Sequence, residues 1–586
     1  MRFEHEKTMH RKLTLLVSAL FYCLISSAQT FRWHNPENAG FPVVQGQAFQ
    51  AEVRNGFYNR LPDRAQEVLR KRVWDLSRQT AGESINFTTN AKEIKVRYKV
   101  KLRKAMNHMP ATGVSGVDLY TYDRDGNEVW LTAKYAFKDT VTYNYGPIDA
   151  LDVRAKYRRY TLYLPLYNEM EWLEIGVEEG AKFTFEAPSR SKPIVAYGTS
   201  ICQGACASRP AMAWTNILQR RLGRPVINLG FSGNAMHETP IIDMIADIDA
   251  AVYILDGMPN SFSIPSPALQ DTLSKAIRHL RNKRPDIPII LADHSGYPQN
   301  KVYKTYKDDQ EHALKALEEV YQKLSHEGVK GLYRLRYDQI AMTSEMMIEG
   351  LHMSDYGMTR YADAYEPLLR EILNEPVGDC LATMPTVQQR DSYNWMHRHN
   401  AILKAGNGKH FKRIVIGDSI MHFWGGVEGA PAQRGVDSWA ALPGETFNMG
   451  CGHDRTENVL WRIHHGELDN LTADKIIIKI GTNNIPHDKY TDDDIVSGIR
   501  EIVKAAQLRR PEAEVKVIGI LPRRGREERV KILNKSIKTL AKELKIEFAD
   551  PGKRLLDKKG KILESYFTDG LHPNADGYKI IAEDFE

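Results

Sequence analysis

The sequence predicts an α/β protein: two domains built as parallel sheets between helices, preceded by a β-sandwich or jelly-roll module. Three observations lead there. Four short blocks of sequence occur twice in the same order, about 220 residues apart. Within each copy, short apolar runs alternate with charged, helix-periodic stretches. The stretch before the first copy differs in kind, with short alternating segments and turn residues.

Copy one reads YGTSICQG (197–204), NLGFSGN (228–234), LDGMPN (255–260) and EGLHMSD (349–355). Copy two reads IGDSIMHFWGG (416–426), NMGCGHDRT (448–456), IGTNN (480–484) and DGLHPNADG (569–577). Ser200 and His352 are 152 residues apart, Ser419 and His572 153. One serine or one histidine carries little information; four ordered blocks at a fixed offset carry a great deal.

Each serine follows an apolar run, 193–197 and 413–416, of the kind a buried parallel strand shows. AAVYIL (250–255) and KIIIKI (475–480) lead into the third blocks. Helix-like stretches then end at Arg284-Pro285 and Arg510-Pro511, followed by IPIILAD (287–293) and VKVIGILP (515–522). Further helix-periodic segments lie near 308–326 and 526–545. This alternation implies a parallel sheet covered on both faces, with reactive groups beyond the carboxyl ends of its strands. All the blocks fall at strand ends or just after them.

The N-terminal module shows EIKVRYKV (93–100), GVDLYTYD (116–123), RYTLYLPL (159–166) and EWLEIGV (171–177). DRDGN (123–127) between GVDLYTY and EVWLTAKY is a hairpin signal. Trp33, Tyr120, Tyr122 and Trp130 are read as core packing, with stacking on sugars as the second use. Before the module, KLTLLVSALFYCLISSA (12–28) follows His10-Arg11-Lys12 and ends in small residues. This is the layout of a secretory signal peptide over 1–28, with Met9 an alternative start, and the run is short for a membrane anchor. Cys23 sits in a poor match to a lipoprotein signal, so a soluble exported protein, periplasmic or extracellular, is expected. The expected division is module 29–188, first domain 189–375, linker 376–408 and second domain 409–586.

Composition agrees with that plan. At 586 residues and 42% hydrophobic, the chain can bury several cores. A net charge of +6 is mild, and no basic stripe with interleaved aromatics points to nucleic acid. Beyond the leader stand Cys202, Cys206, Cys380 and Cys451. An oxidising compartment would permit a Cys202–Cys206 bridge without establishing one. CQGAC lacks the second half of a metal site, and no phosphate-cradling Gly loop or HExxH motif occurs, so neither metal nor cofactor is expected.

On its blocks the chain resembles the SGNH, or GDSL-type, hydrolases, flavodoxin-like α/β esterases named for blocks carrying Ser, Gly, Asn and His. Copy two, through GDSI, TENVLWR, GTNN and DGLHP, resembles the branch that includes the platelet-activating-factor acetylhydrolase catalytic subunits. Copy one resembles a bacterial branch whose N-terminal β-module carries G-x-DLY, here Gly116-Val117-Asp118-Leu119-Tyr120. Together these resemblances cover most of 30–586.

Ester hydrolysis needs a nucleophile, a base that returns its proton to the leaving alcohol, and donors for the developing oxyanion. Copy two offers Ser419 as nucleophile, His572 as base and Asp569 to orient the imidazole. The Ser419 N–H and Asn483 are its oxyanion donors, and Asp418 braces the nucleophile loop. His453 stands where the family places its second-block Gly. It keeps a backbone donor but not Gly's freedom, and its side chain either shapes the substrate site or points to solvent. Copy one offers Ser200, His352 and, in place of Asp, Glu349, with Gly233 and Asn260 as oxyanion donors. HFWGG (422–426) is a candidate pocket lining. Asp293-His294 and His464-His465 are read as satisfied polar residues, with ligand or acid–base work as the second reading.

Together with export, the resemblance implies a cofactor-independent serine esterase with two tandem sites. Its expected substrates are small acyl esters, acetyl foremost, on polysaccharides or oligosaccharides. Two other readings stand beside it: a lipid or aryl esterase, and a glycan-binding scaffold with one or both hydrolase domains inactive.

Overall fold

The computed structural model describes residues 30–123, 126–148, 158–261, 264–388 and 393–586. The leader expected at 1–28, with Cys23, lies outside the described residues, as do Arg124 and Asp125 of the hairpin turn and 389–392 of the linker.

Alternation in the module does what a period of two dictates: along β4 (Ile94–Val100) every second residue is buried. One sheet runs β1 (Phe31–His34), β10 (Met170–Glu178), β4, β8 (Val141–Tyr145), β7 (Lys134–Phe137). The other runs β11 (Phe183–Phe185), β3 (Ser84–Thr89), β9 (Arg158–Tyr163), β5 (Asp118–Tyr122), β6 (Glu128–Leu131), with β2 (Val44–Gln45) beside β3. Ile94, Val96 and Tyr98 meet Ile85, Phe87, Leu119 and Leu162 in one core between the sheets. The expected hairpin forms, with Tyr122 opposite Glu128. Tyr120 is buried, Trp33 and Tyr122 half-buried, and Trp130 remains 48% exposed.

The first parallel sheet runs β13 (Val226–Gly230), β12 (Ile194–Gly198), β14 (Val252–Asp256), β15 (Ile289–Ala292), β16 (Leu332–Leu335). The second runs β18 (Thr446–Gly450), β17 (Lys409–Gly417), β19 (Leu471–Lys479), β20 (Glu514–Ile518), β21 (Glu547–Ala549). Both have the 2-1-3-4-5 order of a flavodoxin-like sheet. Successive residues of β12 enter opposite cores, Val195 and Tyr197 one, Ile194 and Ala196 the other, so the strand must be apolar throughout. Helices Ser266–Lys283 and Asp492–Arg509 stop at the Arg-Pro pairs, where proline cannot continue them.

Two segments do more than the sequence implied. Between β2 and β3, the short helices Ala65–Val68 and Lys71–Ser77 leave the sandwich. They carry Leu69, Val73, Trp74 and Leu76, with Leu61, into the core of the first parallel sheet. Arg60, fully buried there, donates to the carbonyls of Leu76, Gln79, Asn228 and Gly230 at 2.7–3.0 Å. Burial lowers its pKa to about 10. The second is 376–408, where helix Trp395–Gly406 inserts Trp395 and Ile402 into the second domain's core. Trp395 Nε1 donates to Asp454 at 2.8 Å, and His399 Nδ1 lies 2.8 Å from Glu467.

The G-x-DLY signature joins module to domain. Asp118 accepts from Ala211 N (2.9 Å), Arg209 (3.1 Å) and Trp130 Nε1 (3.2 Å), while the Tyr120 hydroxyl accepts from Arg209 at 2.9 Å. His464 and His465 join the two parallel-sheet domains. Arg224 donates to the His464 carbonyl at 2.8 Å, and His465 Nε2 lies 2.8 Å from the Leu222 carbonyl. Cys202, Cys206, Cys380 and Cys451 are all free thiols. Among the described residues, no helix is long and apolar enough to cross a membrane.

Leu61, Leu69, Val73, Trp74 and Leu76 together contribute on the order of 10 kcal/mol of burial, comparable to a domain's whole stability. Residues 30–375 should therefore give a cooperative circular-dichroism melt, and residues 189–375 none. A matching cooperative melt of the shorter fragment would contradict this packing.

Candidate active sites

Each candidate nucleophile opens a four-residue helix at the carboxyl end of its domain's second-ordered strand. Ser200 follows β12 and Ser419 follows β17. The preceding side chain caps each helix: Thr199 Oγ1 accepts from Ile201 N at 3.2 Å, Asp418 Oδ1 from Ile420 N at 2.9 Å. The helix lies so close to the neighbouring strand that a Cβ on Gly230 would strike Gln203 N, and one on Gly450 would strike His422 N.

The structure brings each serine to its histidine. Ser200 Oγ is 2.8 Å from His352 Nε2, and Ser419 Oγ is 2.8 Å from His572 Nε2. The other ring nitrogen faces the acid: His352 Nδ1 bonds Glu349, and His572 Nδ1 is 2.7 Å from Asp569. The carboxylates are braced by the turn they begin. Glu349 accepts from Leu351 N (3.2 Å) and His352 N (3.1 Å), Asp569 from Leu571 N (3.0 Å) and His572 N (2.8 Å). Burial alone would raise the Asp569 carboxyl, but these bonds and the His572 ring hold it at about 2. Burial lowers the His572 pKa, with Asp569 opposing. Such a relay can deprotonate a serine hydroxyl and hold the resulting imidazolium.

Gly233 and His453 each sit third in a tight turn closed by Asn234 N to Phe231 O (2.8 Å) and Asp454 N to Cys451 O (3.3 Å). Both backbones are left-handed, φ +69° at Gly233 and +64° at His453, and both residues are exposed. Copy two thus keeps the glycine conformation without the glycine, at a cost of about 1–2 kcal/mol. The half-buried third-block asparagines connect back to the same turns. Asn260 Oδ1 accepts from Ala235 N at 3.3 Å, and Asn483 Nδ2 donates to Asp454 O at 2.9 Å. Each amide retains hydrogen-bonding capacity beyond that bond.

Beneath the serines the copies solve one problem differently. In copy two, Lys479 at the end of β19 lies 3.0 Å from Asp418, both fully buried. In copy one the corresponding strand end is Asp256, which burial raises to about 7 and to which Tyr361 and Tyr365 donate at 2.9 and 3.1 Å. There the cap is neutral Thr199, so no cation is needed. A charged residue closing the apolar runs AAVYILD and KIIIK was the available signal for both groups. Tyr167, a module residue whose hydroxyl donates to Ser200 O at 3.2 Å, left no such signal.

The weaker candidates resolve as structural. Asp293 accepts from Arg334 (2.6 Å) and Tyr337 N (3.1 Å), and buried His294 accepts from Gly296 N at 3.0 Å. Within HFWGG, His422 is buried and accepts from Gly452 N at 3.1 Å, Trp424 is core, and Phe423 alone stands against His572, ring centres 5.3 Å apart.

With this geometry in hand, the relationships to known proteins are specific. Models of the GDSL-like Lipase/Acylhydrolase family match residues 191–370 and 415–580, and a model for the N-terminus of SGNH-hydrolase-type esterases matches 31–183. A solved structure from Bacteroides ovatus, described as a GDSL-like lipase, is 30% identical with a TM-score of 0.53 and covers 59% of this chain and 98% of its own. The chain belongs to the GDSL-like lipase/acylhydrolase family. It is accordingly a carboxylic ester hydrolase. This acylhydrolase is also similar to human platelet-activating factor acetylhydrolase IB subunit alpha1, 28% identical over 206 residues, 34% of this chain and 84% of that protein. The bovine alpha2 subunit is 29% identical over 198 residues, 32% of this chain and 80% of that protein.

Removing one partner of a fully buried ion pair costs about 3–5 kcal/mol. Lys479→Met should therefore destabilise the second domain by that amount in urea unfolding, and Lys479→Met with Asp418→Thr should recover most of it. Equal loss in the single and double variants would show that the pair is not what holds the turn.

Proposed function

We propose that this acylhydrolase is an exported serine esterase with two working sites, removing small acyl groups, acetyl foremost, from polysaccharides or oligosaccharides. The observation that carries the reading is the pair of serine–histidine–carboxylate relays at 2.8 Å serine–histidine separation, one per domain. Serine Oγ attacks the ester carbonyl carbon while its proton passes to histidine Nε2. The oxyanion is met by the serine N–H with Gly233 and Asn260 in copy one, and with the His453 N–H and Asn483 in copy two. Collapse expels the alkoxide, which takes the proton from the imidazolium. Water then attacks the acyl-serine by the same route and releases the carboxylic acid.

The acetyl preference is supported by likeness to proteins named acetylhydrolases. The glycan preference is supported by the leader-like N-terminus and by Trp130, an exposed ring on the module. Acetate release from 4-nitrophenyl acetate and acetylated xylan, mannan and pectin should be lost in separate subsets by Ser200→Ala and Ser419→Ala, and entirely by the double variant. Hydrolysis of long-chain lipid esters with no acetate from any glycan would replace this reading with a lipid esterase.

The His572 ring accepts a proton only when neutral, and burial holds its pKa below 6.5. In a Ser200→Ala background, kcat/KM should therefore fall only as pH drops below about 6.5. Asp569→Asn removes the group that stabilises the imidazolium, so the acid limb moves lower still and turnover drops roughly 10²–10⁴-fold. An unmoved limb would show that Asp569 does not face the working base.

A further inference from the structure

We propose that His108, Cys206 and one ring nitrogen of His352 form a binding site for a soft divalent transition-metal ion of the zinc type, and that filling it silences copy one. The silencing rests on the reading of copy one as hydrolytic; the binding does not.

His108 comes from the module, not the hydrolase domain. Met106 and Met109 exchange backbone bonds, 2.9 Å from Met106 N to Met109 O and 3.2 Å in return, so Asn107-His108 form the tip of a tight loop. Buried Met109 roots that loop in the first domain's core. Just beyond it, a Cβ on Gly113 would collide with Ala207 O, and Thr112 Oγ1 donates to Ser208 O at 2.7 Å. The loop is therefore docked on the residues that follow Cys206. Its exposed His108 ring lies nearly parallel to His352, 16° between planes and 5.8 Å between centres.

Cys206 ends the turn after the nucleophile helix, in a left-handed conformation with φ +69°. One donor atom each from His108, Cys206 and His352 lie within 4.8 Å of one another. Tetrahedral zinc, with bonds of about 2.0–2.3 Å, holds its ligands roughly 3.5 Å apart. Donor atoms that close need shifts of only about 1 Å to meet one ion. Two imidazoles and a thiolate, with a fourth position left to solvent, suit zinc, cobalt or copper rather than magnesium or calcium.

Occupancy excludes catalysis. His352 has two ring nitrogens, and the relay uses both, one for Ser200 and one for Glu349. An ion on either displaces one of them. Coordination takes Cys206 as the thiolate and releases its proton to solvent. Counted from the serine, copy two has Gly425 where copy one has Cys206, and so offers no thiol.

The test uses the full chain, stripped with chelator and then titrated with Co²⁺. One equivalent should produce a thiolate-to-cobalt charge-transfer band, absent in Cys206→Ser and weakened roughly tenfold or more in affinity by His108→Ala. Zn²⁺ should inhibit the Ser419→Ala protein, which retains only copy one, and spare Ser200→Ala. His108→Ala should raise the half-inhibitory Zn²⁺ concentration by a similar factor. A missing band, a band that survives Cys206→Ser, or equal inhibition of both sites would overturn the proposal. If copy one proves inactive on every ester, the cobalt spectrum still decides the site.

Discussion

Each hydrolase domain hangs on the absence of side chains at two adjacent strand ends. Gly198 pairs with Gly230 in the first sheet, and Gly417 with Gly450 in the second. A Cβ on Gly198 would lie 2.6 Å from Cys202 Cβ and 2.8 Å from Asp256 O; on Gly417 it would lie 2.6 Å from Lys479 O. Because nothing fills those positions, the serine helix rests directly on the end of the sheet. The hydroxyl then stands where a loop histidine from the far end of the domain can meet it. That loop has its own requirement: Gly350 and Gly570, with φ +90° and +77°, let the carboxylate before them turn back onto the histidine's N–H and ring.

Around this shared frame the copies have diverged in charge. Copy two caps its serine helix with Asp418 and neutralises it with Lys479; copy one caps with Thr199 and holds Asp256 against two tyrosine hydroxyls. Copy one orients its histidine with a glutamate, whose extra methylene still reaches Nδ1. Each exchange is compensated nearby, so the serine–histidine distance is 2.8 Å in both. Copy one also borrows from the module: Arg60 ties down β13, Tyr167 touches Ser200, and His108 faces His352.

What the sequence made legible follows from what constrains it. The relay residues were readable because their chemistry fixes residue type and order. The sheets were readable because strands buried on both faces admit few polar residues. The 47–83 segment was not, because helices of four and seven residues are too short to show a period. Helix Trp395–Gly406 shows no clear apolar period in the sequence because its anchors, Trp395 and His399, are an aromatic and a polar residue bonded to buried acids. His453 could be flagged from its block, but its left-handed backbone shows only in three dimensions. Cys202 and Cys206 stand close in sequence yet unbridged, Cys202 against the Ala196 carbonyl at 3.5 Å and Cys206 beside the His352 loop.

The central claim is that one chain carries two independently assembled serine relays. Labelling the intact protein with a fluorophosphonate and mapping the adducts by peptide mass spectrometry tests it most directly. The account predicts adducts on both Ser200 and Ser419, with His352→Ala abolishing only the first and His572→Ala only the second. A label confined to one serine, or absent from both, would contradict it.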